Sequence, residues 1–243
     1  MNVPGTRRAR VLSMLVGDGT AEFGTQRLCE LCAELTDMSG AGIMLMSGDV
    51  PRGSLCSTGE VSARIEDLQY ELGEGPCVDA YQQDMPVLEP DLAEPAEPRW
   101  LGFSGPAIEA GVRAVFGFPL RIGAVRLGAL NLYRDRSGPL TDEQHADALV
   151  LADVAAQGVL VLQANAPPSQ VAAEIETGAD FHYVVHQAAG MVAAQMDVSV
   201  GYALIRLRAH AFGNDRDLTA VANDVVAKSL RFDARSGEID AEP

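Results

Sequence analysis

Residues 181–232 read FHYVVHQAAGMVAAQMDVSVGYALIRLRAHAFGNDRDLTAVANDVVAKSLRF. Apolar residues recur there at helical spacing, in three short runs separated by turn residues. Ser199 is placed to cap the second run and Asp217 the third, because a side-chain oxygen at that point accepts from an early backbone N–H. On a helical wheel Val200, Ala203, Leu204, Leu207 and Ala211 share one stripe, the predicted core face. Tyr202, Arg206 and His210 are spaced i, i+4, i+8 on the opposite face, and Arg208 stands at the stripe's edge. The third run is expected to bury Leu218, Val221, Ala222, Val225 and either Ser229 or Leu230. Lys228 and Arg231 lie near its end, where positive charge suits the helix dipole. Gly190 lies inside the first run, where Gly costs about 1 kcal/mol against Ala. The pattern favours close approach of another helix there over contact with a ligand.

Charge separates this segment from the rest. The 243-residue chain carries a formal net charge of −16. Residues 1–165 hold 12 Arg and Lys against 23 Asp and Glu, whereas residues 180–232 hold five of each. Arg206, Arg208, Arg216, Lys228 and Arg231 are the segment's whole positive inventory, so it alone does not repel a phosphate backbone. With so few phosphate partners, any RNA binding is expected to be weak and salt-sensitive. Shape and loop-base contacts would carry its specificity.

Three groups of residues in this order are distinctive. The first run holds Gln187-Ala188-Ala189-Gly190-Met191. The second holds Tyr202-Ala203 and Leu207-Arg208, then Ala209 and Ala211. The third opens on Leu218 and continues Val221-Ala222 and Val225-Val226. Across residues 180–232 the segment resembles the ANTAR domain, a three-helix bacterial module that binds RNA hairpins and prevents transcription termination. The resemblance implies an all-α fold with RNA contacts from Gln187, Gly190, Met191, Tyr202, Arg206, Arg208, His210, Arg216 and Lys228. Related modules often carry a basic residue directly before the glycine, where this chain has Ala189.

Upstream, residues 1–19 read as an irregular or partly helical leader. A helix is predicted over Thr20–Met38 and strands over Ala41–Ser47 and Arg52–Ser57. Ser62–Tyr70 reads as a short helix or loop. Pro76 suits the first turn of a helix through Tyr81. Pro86–Leu92 reads as an edge strand, where proline is tolerated, and Trp100–Ala110 as a helix. Strands follow over Arg113–Leu120 and Val125–Tyr133, then a long helix from Thr141 or Asp142 to about Leu162. That order predicts an α+β domain with one antiparallel sheet and helices packed on it.

Residues 20–163 resemble a GAF domain, through Gly73-Glu74-Gly75-Pro76-Cys77, Pro86-Val87 with Asp91-Leu92, Gly111–Val115, Pro119-Leu120 and Leu127–Tyr133. The resemblance implies a sensor whose ligand the sequence leaves unknown, with Cys77 as a candidate contact. A position near a helix start would lower the Cys77 thiol pKa, while a Pro-Cys pair there usually packs inward. Pro167-Pro168 marks the boundary to a linker or helix over 164–179, and the acidic tail 233–243 is expected to be disordered.

No nucleophile elbow, P-loop or His-Glu zinc helix occurs, so the expectation is a non-enzyme without cofactor. His182 and His186 are spaced to share a metal, but no third ligand stands near them, and none is assigned. Cys29, Cys32, Cys56 and Cys77 read as free thiols in a reducing, cytoplasmic setting, with Cys29 and Cys32 packed as small apolar groups. No apolar run has membrane-spanning length. Dimerisation is expected through helices 20–38, 141–163 and 170–196. The sequence predicts a signal-responsive antiterminator whose partners are RNA hairpins, a second copy and a possible small molecule. The alternative is a dimeric interaction protein that uses the three helices for protein contacts. A third reading, a thiol-dependent methionine sulfoxide reductase, would need Cys56 to resolve Cys77.

Overall fold

The computed structural model describes residues 4–16, 24–47, 50–165 and 183–233. The chain divides into two compact units, Met1–Asp180 and Phe181–Pro243. The expected linker, 164–179, and the acidic tail from residue 234 lie outside the described residues, apart from the two residues that end the long helix.

The first unit opens with α1 (Pro4–Val16) and α2 (Thr25–Thr36). The leader is therefore helical over 4–16, and Arg7 pairs with Asp147 while Arg8 pairs with Asp153. Strands β1 (Gly40–Ser47) and β2 (Val50–Ser57) form a hairpin, followed by α3 (Glu60–Leu72), α4 (Pro76–Gln83) and β3 (Val87–Glu89). A short α5 (Ser104–Glu109), strands β4 (Ala114–Ile122) and β5 (Val125–Arg134), and α6 (Asp142–Asn165) complete it. The helix expected from Trp100 begins only at Ser104. Trp100 has φ +58, a left-handed conformation that does not propagate a right-handed helix.

The sheet order is β2-β1-β5-β4-β3 and every pairing is antiparallel. Pro86 and Pro90 flank β3, which pairs only with β4 and so forms the edge expected of a proline-bounded strand. Side chains alternate between faces along each strand. Ala114, Phe116, Phe118, Leu120, Leu130, Leu132, Ala41 and Ile43 share one core with Leu28, Cys29, Leu151 and Ala155 of α2 and α6. The residues between them, including Gly42, Gly117 and Asn131, face α3 and α4. With helices on both faces, the strands read as nearly continuous apolar runs.

One cysteine expectation is overturned. Cys29 on α2 and Cys56 on β2 form a disulfide, with Cα atoms 6.1 Å apart. They lie 27 positions apart, with the strand that brings them together between them, and spacing alone does not reveal that pairing. Cys32 and Cys77 are free and buried. Burial pushes the Cys32 thiol up to about 12.

The second unit comprises α7 (Tyr183–Met196), α8 (Val200–Gly213) and α9 (Leu218–Val226). Both predicted caps form: Ser199 accepts from Tyr202 N and Asp217 from Ala220 N. Ala203, Leu204, Leu207 and Ala211 meet Leu218, Val221, Ala222 and Val225 as buried residues, and Leu230, not Ser229, joins them. Val200 departs from the wheel. It is 46% exposed because it lies at the first helical position, outside the packed turn.

Candidate functional site

The segment Gly73–Ala80 organises the α3–α4 face of the sheet. Gly73 ends α3 at φ +69 and Gly75 continues at φ +130. A Cβ on Gly75 would stand 2.6 Å from Gln69 Cγ, so glycine there lets the Gln69 side chain pass. Pro76 then starts α4, and its first turn is capped from outside: Gln69 Oε1 accepts from Cys77 N at 2.7 Å. Glu74 Oε1 accepts from Gly102 N and Phe103 N at 2.6 and 2.8 Å. Asp79 Oδ2 accepts from Trp100 Nε1 at 2.9 Å. These two carboxylates hold the 100–103 turn and offset the strain of a left-handed tryptophan.

Cross-strand register places Gly42 opposite Asn131, and Asn131 opposite Gly117, in a single row over β1, β5 and β4. Asn131 supplies the only side chain beyond hydrogen in that row. A Cβ on Gly117 would lie 2.3 Å from Pro76 O, and one on Gly42 would lie 2.6 Å from Glu66 Oε1. The glycines thus let α4 settle on the sheet and Glu66 of α3 reach down to it. Asn131 Nδ2 donates to Glu66 Oε1 at 3.0 Å.

Glu66 is 2% exposed, Gln69 0%, Asn131 1% and Cys77 0%. Burial pushes the Glu66 carboxyl up to about 8; the Asn131 hydrogen bond works against the rise and the Asp67 charge adds to it. Burial also drives the Cys77 thiol well above its usual range, the nearby Glu66 charge adds to this, and the Gln69 amide partly counters it. The depressed thiol expected at a helix start does not occur, because desolvation outweighs the helix dipole. Cys77 is an inert packed thiol, and Cys56, held by Cys29 in the opposite core, is not available to resolve it.

Glu66 Oε2, Gln69 Nε2 and Asn131 Oδ1 have no hydrogen-bond partner. An unmet buried polar atom costs about 1–3 kcal/mol. Three such atoms on neighbouring elements amount to about 3–9 kcal/mol, a large share of the whole stability of a domain, about 5–15 kcal/mol. Sequence reading singled out Cys77 and missed its polar neighbours. The cue was a Glu and a Gln on the buried stripe of a helix beside an Asn in an apolar strand.

The residues singled out in the second unit spread over several faces. Tyr202 is 47% exposed and Arg206 is half-buried. His210 packs edge-on against Phe232 at 5.7 Å; burial lowers its pKa, aided by Arg216 and opposed by Asp224. Arg216 pairs with Asp224 at 2.6 Å, and Arg208 is half-buried. Gln187 and Lys228 are exposed and Met191 is half-buried. Gly190 is exposed with nothing within 4 Å of where its Cβ would be, so within this unit it serves no close helix contact. Ala189 is buried and faces the core, so it is not a surface position for a basic side chain. The outward face of α8 is led instead by Ile205 and Phe212, 59% and 73% exposed. The sequence reading did not assign either of them. Among the described residues no three His, Cys, Asp or Glu could hold a metal, and no single helix is long and apolar enough to cross a membrane.

The chain is similar to three solved structures. The GAF domain of an Acinetobacter phosphoenolpyruvate-protein phosphotransferase is 12% identical with a TM-score of 0.50, over 68% of this chain and 97% of that one. The corresponding domain from Coxiella burnetii is 14% identical with a TM-score of 0.49, over 66% and 95%. A domain of a two-component sensor histidine kinase from Sinorhizobium meliloti 1021 is 16% identical with a TM-score of 0.45, over 56% and 89%. No curated protein matches the chain. The GAF domain profile of the GAF_2 type covers residues 25–163. Together with the five-stranded antiparallel sheet between two helical layers, this establishes that the chain belongs to the GAF domain family.

Proposed function

We propose that the protein is a signal-responsive RNA-binding transcription antiterminator. In this reading the GAF domain senses a small molecule or partner, and the three-helix unit, read as an ANTAR domain, binds RNA hairpins as part of a homodimer. The observation that carries it is the exposed side of α8. Tyr202 and Phe212 offer aromatic surfaces on which unstacked loop bases can lie, and Arg206 is on the same helix. Residues 180–232 have no excess of negative charge in a chain that is otherwise acidic. A signal in the GAF domain would alter RNA binding only to the extent that it prefers one state over another.

The test is binding of the full chain to a tandem-hairpin RNA across a salt series, compared with Tyr202→Ala/Arg206→Ala. Binding that weakens with salt and falls at least tenfold in the double variant is the expected result. Equal binding by both proteins removes α8 as the RNA face. A second reading draws on Ile205 and Phe212. Large apolar side chains so exposed also suit a protein partner, and a chain that binds no RNA at low salt yet self-associates through Phe212 would be an interaction protein.

A further inference from the structure

We propose that Cys56 is a site of reversible thiol–disulfide exchange, and that the Cys29–Cys56 bond is a redox switch opened by a dithiol, not a permanent staple. The inference concerns the first unit alone and stands whether or not the second unit binds RNA. Exchange requires a thiolate to attack one sulfur of the pair. Cys29 is 0% exposed on the packed side of α2, whereas Cys56 is 7% exposed on β2, the last strand of the sheet, which pairs only with β1. The ladder is also interrupted there. Cys56 stands opposite Ile43 and Ser54 opposite Met44, so Leu55 is an extra residue and the pairing is locally disrupted. Attack therefore comes at Cys56, from the sheet edge.

The surroundings let both redox states stay folded. The two cysteines share an apolar core with Leu28, Ile43 and Leu151, where a thiol packs as a small hydrophobe. What reduction removes is the tie. The first half of α2 is bonded to β2 through the disulfide and through Gln26 Nε2, which donates to Ser57 O at 3.0 Å. The end of α2 is held elsewhere. Thr36 O accepts from Gln144 Nε2 of α6 at 3.0 Å, Asp37 pairs with Arg136 at 2.7 Å, and Ser39 N donates to Tyr133 O at 2.9 Å. Reduction thus frees the first half of α2 while its last turn stays anchored.

The geometry also selects the reductant. An attacking thiolate forms a mixed disulfide with Cys56 and expels Cys29 as a thiolate, which takes up a proton. Cys29 still faces Cys56, so against a monothiol it returns, reforms the bond and expels the attacker. A dithiol escapes this reversal. Its second thiolate attacks its own sulfur in the mixed bond, expels Cys56, and the reagent leaves as a disulfide. Two electrons and two protons reach the cysteine pair, and the dithiol is oxidised. In the reverse direction a hydroperoxide accepts the electrons. The Cys56 thiolate attacks the peroxide oxygen, releases an alcohol or water and becomes a sulfenic acid; the Cys29 thiol then displaces water and closes the bond. Cys32, one turn along α2, and Cys77 are both 0% exposed and take no part.

The test treats the oxidised full chain, without denaturant, with dithiothreitol or with glutathione at equal thiol concentration. Iodoacetamide traps the thiols, mass spectrometry of peptides locates them, and hydrogen exchange follows the backbone. Dithiothreitol is expected to open Cys56 to labelling at least tenfold more than glutathione in the same time, while Cys32 and Cys77 stay unlabelled because the unit remains folded. Exchange should rise about tenfold over Thr25–Leu31 and stay unchanged in β4 and β5, and hydrogen peroxide should restore both the bond and the protection. Cys29→Ser/Cys56→Ser should show the reduced pattern under all conditions, and Cys32→Ser should behave as the parent; if the double variant fails to fold, the reduced parent supplies the comparison. Labelling of Cys56 only in urea, or only together with Cys32 and Cys77, overturns the proposal and makes the bond a staple broken by unfolding. Equal opening by glutathione overturns the dithiol assignment, and unchanged exchange over Thr25–Leu31 after reduction overturns the switch.

Discussion

Replacing Glu66 with Gln should change how the stability of the first unit depends on pH. The carboxyl is enclosed by the sheet and α3, and burial pushes its pKa from the ordinary 4.5 up to about 8. Between those values the folded protein holds a proton that the unfolded chain has released, so stability falls as pH rises through this interval. The benefit of the protonated acid is complete below 4.5 and gone above about 8. Each pH unit between is worth about 1.4 kcal/mol. The whole interval therefore amounts to about 5 kcal/mol, and the part accumulated by pH 7 to about 3 kcal/mol. Glu66→Gln retains an oxygen to accept from Asn131 Nδ2 and cannot ionise. The variant should match the parent, apart from a constant offset, at pH 4.5 and gain on it steadily up to pH 8–9. Urea unfolding at several pH values measures the difference directly. Trp100, the only tryptophan and 5% exposed, reports on this unit alone. A stability difference that stays flat from pH 4.5 to 9 would refute the enclosed-acid reasoning, whatever the other carboxylates do, because their contributions cancel between the two proteins.

Other outcomes follow from the same geometry. Gly117→Ala would drive a Cβ to within 2.3 Å of Pro76 O; since both atoms are anchored by backbone, we expect a loss of about 2–4 kcal/mol, measured by urea unfolding, and a loss below 0.5 kcal/mol would contradict the close α4–sheet contact. Reducing Cys29–Cys56 opens a loop of 27 residues, for which chain entropy predicts about 3.5 kcal/mol; Cys56→Ser should lower Tm and become insensitive to dithiothreitol, whereas Cys32→Ser should keep the parent's response. Ser199→Ala and Asp217→Ala each remove a side-chain cap and should cost about 1 kcal/mol by circular dichroism melting of the second unit. Phe212→Ser, exposed and outside the three-helix core, should leave that melting within about 0.5 kcal/mol while weakening RNA binding; unchanged RNA affinity would remove the aromatic from the proposed interface.

What the amino-acid sequence determined by itself was local. Short apolar runs bounded by turn residues located the strands, and period-3.6 patterns the main helices, because both signals are carried by a segment's own residues. Pro76 at a helix start, the prolines bounding β3, and the caps Ser199 and Asp217 were legible for the same reason. Each acts within about four residues of itself. The GAF signature could be quoted from sequence, but its physics could not. That Gly75 clears Gln69, or that Glu74 holds a turn 28 residues away, depends on where α3 and the 100–103 turn settle. Trp100 was read as helical because nothing local announces a left-handed residue that Asp79 keeps in place.

The disulfide and the Glu66–Asn131 contact belonged wholly to tertiary structure. Cys29 and Cys32 were read as free thiols packed as small apolar groups, yet the sheet delivered Cys56 to Cys29. Glu66 and Asn131, 65 positions apart, became neighbours only through the β1–β5–β4 register, with glycines on either side to admit them. Burial then decided their chemistry, turning an ordinary surface-type acid into a neutral hydrogen-bond donor and Cys77 into an inert thiol. Desolvation depends on everything packed around a group, and no stretch of sequence carries that information alone.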